Sequence, residues 1–160
     1  MIEKLIMSEN NIPDGILHDQ DLYKVELNNK EFTLSFNTHL FSDQVGIEFC
    51  EQYKDFTKCH IKCKLEDEYF CNVELKTSLN KKDVYKVKVL SVSEFVKIAN
   101  EELNKEAGKG HYPWEYLNTY ISPGIKSAVI ELSIWLKYKG VEYTMCNLQL
   151  NTNEIEYIWE

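Results

Sequence analysis

The sequence predicts an α+β domain. We expect an antiparallel sheet of about seven or eight strands built from hairpins, with one main helix at about 91–107 and one short helix at about 113–121 packed on it. Three observations carry that expectation. Most of the chain alternates apolar and polar residues with period 2, turn-forming residues separate the alternating runs, and one long stretch carries an apolar stripe at 3.6-residue spacing. The 160 residues, 44% of them hydrophobic, suit one domain spanning 1–160, since no repeat, low-complexity tract or proline/glycine linker divides them.

The first hairpin is the plainest. Tyr23, Val25 and Leu27 alternate toward Asn28-Asn29-Lys30, and Phe32, Leu34 and Phe36 alternate away. A turn centred on Asn29-Lys30 matches Leu27 with Phe32, Val25 with Leu34 and Tyr23 with Phe36; asparagine tolerates the positive φ such turns need. Val45, Ile47 and Phe49 mark another strand.

Cys59, Ile61, Cys63 and Leu65 share one parity, against Lys58, His60, Lys62 and Lys64 on the other. Cys71, Val73 and Leu75 repeat the pattern, with Glu66-Asp67-Glu68 between the two runs. A hairpin with that three-residue loop lets the dry faces coincide. It sets Cys63 opposite Cys71 and His60 opposite Glu74. Asp83–Leu90 forms a further strand, with Tyr85, Val87 and Val89 opposed to Lys86 and Lys88.

Ser91 with Glu94 is a capping box. Val92, Phe95, Val96, Ala99 and Leu103 form the stripe of the main helix, and Gly108 is its stop. Pro113 fits the first turn of the short helix, which puts Trp114, Leu117 and Ile121 on one face. Ser127–Tyr138 is a long strand with Ala128, Ile130, Leu132, Ile134, Leu136 and Tyr138 inward. Val129 and Trp135 on its other parity imply that part of its second face is covered. Lys139-Gly140 turns the chain into Val141–Leu150, where a parity shift near Cys146-Asn147 implies a β-bulge. Asn151–Asn153 then turns again, pairing Leu150 with Ile155 and Leu148 with Tyr157.

Cys59, His60, Cys63 and Cys71 invite a zinc or redox reading. Strand alternation dismantles it, because His60 points away from both cysteines of its own strand, into a row of lysines. We therefore expect no metal, no cofactor and no catalytic residue here, only buried core cysteines.

The charge narrows the partners. All eighteen basic residues are lysine, and 26 carboxylates bring the formal charge to −8. Arginine's bidentate fork is the usual instrument of phosphate and guanine recognition, so we expect no nucleic-acid binding. An acidic surface attracts a basic protein partner. Met1-Ile-Glu-Lys-Leu-Ile-Met lacks a long apolar core and a small-residue cleavage site, and no stretch is apolar enough to span a membrane. The expectation is a cytoplasmic protein with free thiols and no membrane association.

Two segments are candidate surfaces. Residues 111–121 concentrate His111, Tyr112, Trp114, Glu115, Tyr116 and Tyr120, and exposed tyrosine and tryptophan are over-represented where proteins grip partners; the alternative is a short helix capping the sheet with its aromatics packed inward. His18, flanked by Asp19 and Asp21, is the weaker candidate, an acid/base pair or weak cation site set in a polar turn. No GxSxG, phosphate loop, GxGxxG or HExxH occurs.

Ile16-Leu17-His18-Asp19, running directly into the strand Leu22–Leu27, resembles the opening of some small bacterial immunity proteins that accompany polymorphic toxins. The resemblance covers residues 16–37, and acidic charge and a sheet-plus-helix plan are similar in kind. It implies stoichiometric occlusion of a toxin and supplies no catalytic residues. The leading expectation is thus a non-enzymatic cytoplasmic protein-binding domain, an immunity-type inhibitor of a basic partner. The alternative is a small-ligand-binding or enzymatic domain with a pocket near His111–Tyr120 and His18–Asp21.

Overall fold

The computed structural model describes residues 2–6, 17–39, 51, 53–110, 112–122 and 126–160. The strand expected around Val45–Phe49 lies outside them. The strands are β1 (Ile2–Ile6), β2 (Asp21–Asn28), β3 (Glu31–Asn37), β4 (Lys58–Leu65), β5 (Asn72–Lys76), β6 (Val87–Leu90), β7 (Glu115–Ser122), β8 (Ser127–Tyr138) and β9 (Val141–Trp159). A 3-10 turn, Glu68–Phe70, joins β4 to β5, and helix α1 (Val92–Ala107) joins β6 to β7. The fold class is α+β, and every pairing between strands is antiparallel.

Hydrogen bonding runs β4-β3-β2-β7-β8-β9 and returns from β9 to β4, so six strands close a ring. Closure leaves those strands with one inward and one outward face. Cross-strand rows fill the interior: Val25, Leu34, Ile61 and Tyr157 form one, and Phe36, Cys59 and Trp159 another. All are essentially solvent-free.

β9 organises the rest. Its first half lies between β8 and β5 and its second half between β1 and β4. This corrects two expectations. β4 and β5 are not a hairpin: they lie end to end along one edge of β9, with Cys63 beside Phe32 and Ile155 rather than Cys71. Nor does the chain reverse at Asn151–Asn153, because Leu150 pairs with Ala128 and Ile155 with Cys63 and Leu5. Alternation chose the buried faces correctly, since Cys59, Ile61, Cys63, Leu65, Cys71, Val73 and Leu75 are all buried. It cannot choose which neighbour supplies the hydrogen bonds.

The β2–β3 hairpin has the expected register at Leu27–Phe32 and Val25–Leu34, with Asn29 at φ 56°. A bulge at Tyr23 moves the last pair to Leu22–Phe36. Lys139-Gly140, with φ of 49° and 78°, makes the β8–β9 turn. The bulge expected in β9 near Cys146-Asn147 is instead in β8, where the register sets Ile134 and Trp135 against Thr144 alone, and the parity of β9 shifts between the buried Tyr143 and Cys146.

The short helix expected at 113–121 is instead strand β7. A bulge between Tyr116 and Asn118 breaks its period-2 pattern, so the buried residues Tyr116 and Thr119 fall three apart. That spacing imitates a helical stripe.

α1 begins as expected, with Ser91 and Glu94 forming a reciprocal capping box. Val92, Phe95, Ala99 and Leu103 are buried. Gly108 caps the helix in a right-handed conformation, and the left-handed residue is Gly110, at φ 72°. The ring's narrowest join positions the site. β2 meets β7 through Asp21 opposite Glu115, with Leu22 N–H donating to the Trp114 carbonyl at 2.8 Å and Tyr116 N–H to the Gln20 carbonyl at 3.1 Å. Beyond Leu22, α1 lies along β2 and Asn100 bonds its backbone at Val25.

Candidate functional site

The β2–β7 join brings the two candidate segments together. Asp21 sits opposite Glu115, and Asp19 N–H donates to the Tyr116 carbonyl at 3.0 Å. Asp19 is in a turn at φ 63°, and its carboxylate lies 3.0 Å from His18 Nδ1, both side chains about half exposed. Partial burial, reinforced by Asp19 and Asp21, raises the Glu115 carboxyl above its usual range, with His18 opposing the shift.

The aromatic candidates divide. Trp114 and Tyr116 are buried, which corrects their expected place on a partner surface. Trp114 stacks on Phe95 with centroids 6.0 Å apart and donates its indole N–H to the Trp135 carbonyl at 3.3 Å. The Tyr116 ring meets Phe36 edge-on, and its hydroxyl lies 2.7 Å from that of Thr119. Tyr120 is 52% exposed on the outer face, Tyr112 is half-buried, and His111 lies outside the described residues.

The most exposed tryptophan is one that sequence reasoning placed under cover. Trp135 is 74% exposed. Alternation along β8 continues through the bulge, so Ile134 and Leu136 stay inside and Trp135 faces out, with no element among the described residues laid over it. It stands between two shallow clefts. One, of about 240 Å³, is lined by Tyr112, Pro113, Glu115, Ser133 and Trp135. The other, of about 220 Å³, includes Glu102, Lys137, Glu142 and Tyr143. Three carboxylates therefore share clefts with one indole, an arrangement suited to a cationic side chain laid on the ring. The available signal was its position, a large aromatic on the polar parity of a long strand.

The cysteine cluster is architecture. Cys59, Cys63, Cys71 and Cys146 are free and buried. Burial pushes the Cys63 thiol up to about 12. Cys71 Sγ accepts from Asn151 N–H at 3.1 Å. His60 points outward, as alternation requires, but it neither faces Glu74 nor stands free in water. Its Nδ1 lies 2.8 Å from Ser35 Oγ and its Nε2 3.3 Å from a Glu160 carboxylate oxygen. Among the described residues, no three His, Cys, Asp or Glu side chains are grouped to hold a metal ion, and no helix is long and apolar enough to cross a membrane.

No protein-family description matches the chain, and no curated protein or solved structure matches it either.

Proposed function

We propose that this chain is a non-enzymatic, cytoplasmic protein-binding domain that receives a basic segment of its partner on the face around Trp135. The exposure of Trp135 carries the reading. A large indole left in water within a rigid sheet is costly to solvate and ready to bury about 150–250 Å² against a partner. Glu102, Glu115 and Glu142 outnumber Lys137 in the flanking clefts and so favour positive charge. The resemblance of residues 16–37 to immunity proteins points the same way, toward an inhibitor that occludes a basic toxin.

The test is capture from the native lysate on immobilised wild-type and Trp135→Ala chains, followed by titration of the purified partner. A basic protein bound one-to-one, and weakened at least about tenfold by Trp135→Ala, is the expected result. Equal retention by both chains, or an acidic partner, would overturn the reading. One observation favours a second reading: the raised Glu115 carboxyl beside Asp19, Asp21 and His18. A small cationic ligand that raises the melting temperature of wild type but not Glu115→Gln, with no protein retained, would support it.

A further inference from the structure

Among the described residues, β6 hydrogen-bonds to β5 alone. Thr77 N–H donates to the Lys86 carbonyl at 3.0 Å, which fixes the phase of the ladder. Lys86, Lys88 and Leu90 direct their backbone groups at β5, so Val87 and Val89 direct theirs at the open edge. No strand among the described residues occupies that edge. The side chains of Val87 and Val89 are 46% and 57% exposed, with Tyr85 and Val84 exposed beside them.

The edge is held extended before anything binds. Asn80 Oδ1 accepts from Lys82 N–H at 2.8 Å and Val84 N–H at 3.1 Å, closing the hairpin loop. Thr77 Oγ1 accepts from Lys86 N–H at 2.9 Å, and the Lys76 ammonium lies 5.5 Å from the centre of the Tyr85 ring. Preorganisation of this kind lowers the ordering cost of adding a strand.

Charge selects the occupant. Residues 76–90 carry five lysines and one carboxylate, Asp83, in a chain of formal charge −8. Pairing β6 with β6 of a second copy would set Lys86 and Lys88 against their own counterparts, and like charges directly opposite are destabilising. Edge lysines are a common guard against such self-pairing. The same lysines attract carboxylates.

We infer that the open edge of β6 takes an extended acidic segment of a partner protein as an added strand. Backbone bonds form to Val87 and Val89, alternate carboxylates meet Lys86 and Lys88, and the intervening apolar side chains lie beside the two valines. This edge is two strands removed from Trp135, across β9 and β5, and opposite in charge to the clefts beside it, so the inference does not rest on the function proposed above.

The probe is a fluorescein-labelled peptide of about eight residues alternating glutamate and valine, titrated by anisotropy. The expected result is saturable binding with slowed amide exchange at Val87 and Val89. Lys86→Glu with Lys88→Glu should weaken it at least about tenfold. Val89→Pro removes an edge donor without breaking a β5–β6 bond and should do the same. Should Val89→Pro fail to fold, peptide N-methylated on its β6-facing residues tests the same bonds and should lose affinity equally. No saturable binding up to about 1 mM would overturn the inference. So would unchanged affinity of the N-methylated peptide, dimerisation through β6 in ultracentrifugation, or tighter binding of single-stranded DNA or phosphatidylserine vesicles that Val89→Pro leaves intact.

Discussion

The side-chain amide of Asn100 pairs with the backbone of Val25, accepting from its N–H at 3.1 Å and donating to its carbonyl at 2.6 Å. A helix residue thus stands in for a strand. β7 meets β2 only near Asp21, and the Val25 groups would otherwise be left without a partner where α1 covers the edge.

Asn100→Ala should therefore cost about 1–3 kcal/mol, the penalty for orphaned polar groups rather than for lost packing. Urea denaturation reads the loss, and amide exchange at Val25 should accelerate. Exchange at Val25 that matches wild type would show that the pairing contributes nothing.

The two tryptophans at the join should respond oppositely. Trp114→Ala empties a fully buried site and should destabilise by about 3–5 kcal/mol. Trp135→Ala, at a side chain 74% exposed, should change stability by no more than about 0.5 kcal/mol. Thermal melts of the pair decide it; a large loss at Trp135 would mean that the indole is structural.

Glu115 supplies a pH signature. Its folded pKa is raised, so its contribution to stability is fully present below the unfolded value of 4.5 and is lost as pH rises through the folded value. Above 4.5 the unfolded carboxyl gives up its proton more readily than the folded one, which opposes folding. Glu115→Gln should then stabilise the protein at pH 7, by less than about 1 kcal/mol given solvent screening, with the gain vanishing at acid pH. Paired denaturant curves at about pH 7 and about pH 4, above and below the unfolded value of 4.5, measure it. A destabilised variant at neutral pH would contradict the cause assigned.

Cys63 gives the complementary window. Its thiol moves from 9.0 when unfolded to about 12 when folded. Between those values the unfolded chain releases a proton that the folded chain keeps, so stability should fall as pH rises from about 9 toward about 12. Cys63→Val should reduce that slope, to which the buried Cys71, Cys146 and Tyr157 also contribute, and Ellman's reagent should label Cys63 only after denaturation. Rapid labelling of the native protein would show the site to be open.

Much of the local structure was legible. The Asn29-Lys30 and Lys139-Gly140 turns, the Ser91 capping box and the buried parity of β4 and β5 follow from φ preferences, side-chain capping and period-2 burial, all of which act within a few residues. Partner choice was not legible. The alternation of Cys59 to Leu65 fits a hairpin with β5 as well as it fits the observed ladder with β9, because both bury the same face. The bulge in β7 shifted its periodicity by one residue and disguised a strand as a helix around Tyr116. Parity put Trp135 on the outer face of β8, but whether another element covers that face depends on packing far away in sequence. The sequence by itself determined which faces are dry and where the chain turns. Tertiary structure decided which edges meet, since closing the ring required β9 to serve four neighbours at once. That closure set Glu115 beside Asp21, and packing left Trp135 exposed and β6 with an edge that no described strand occupies.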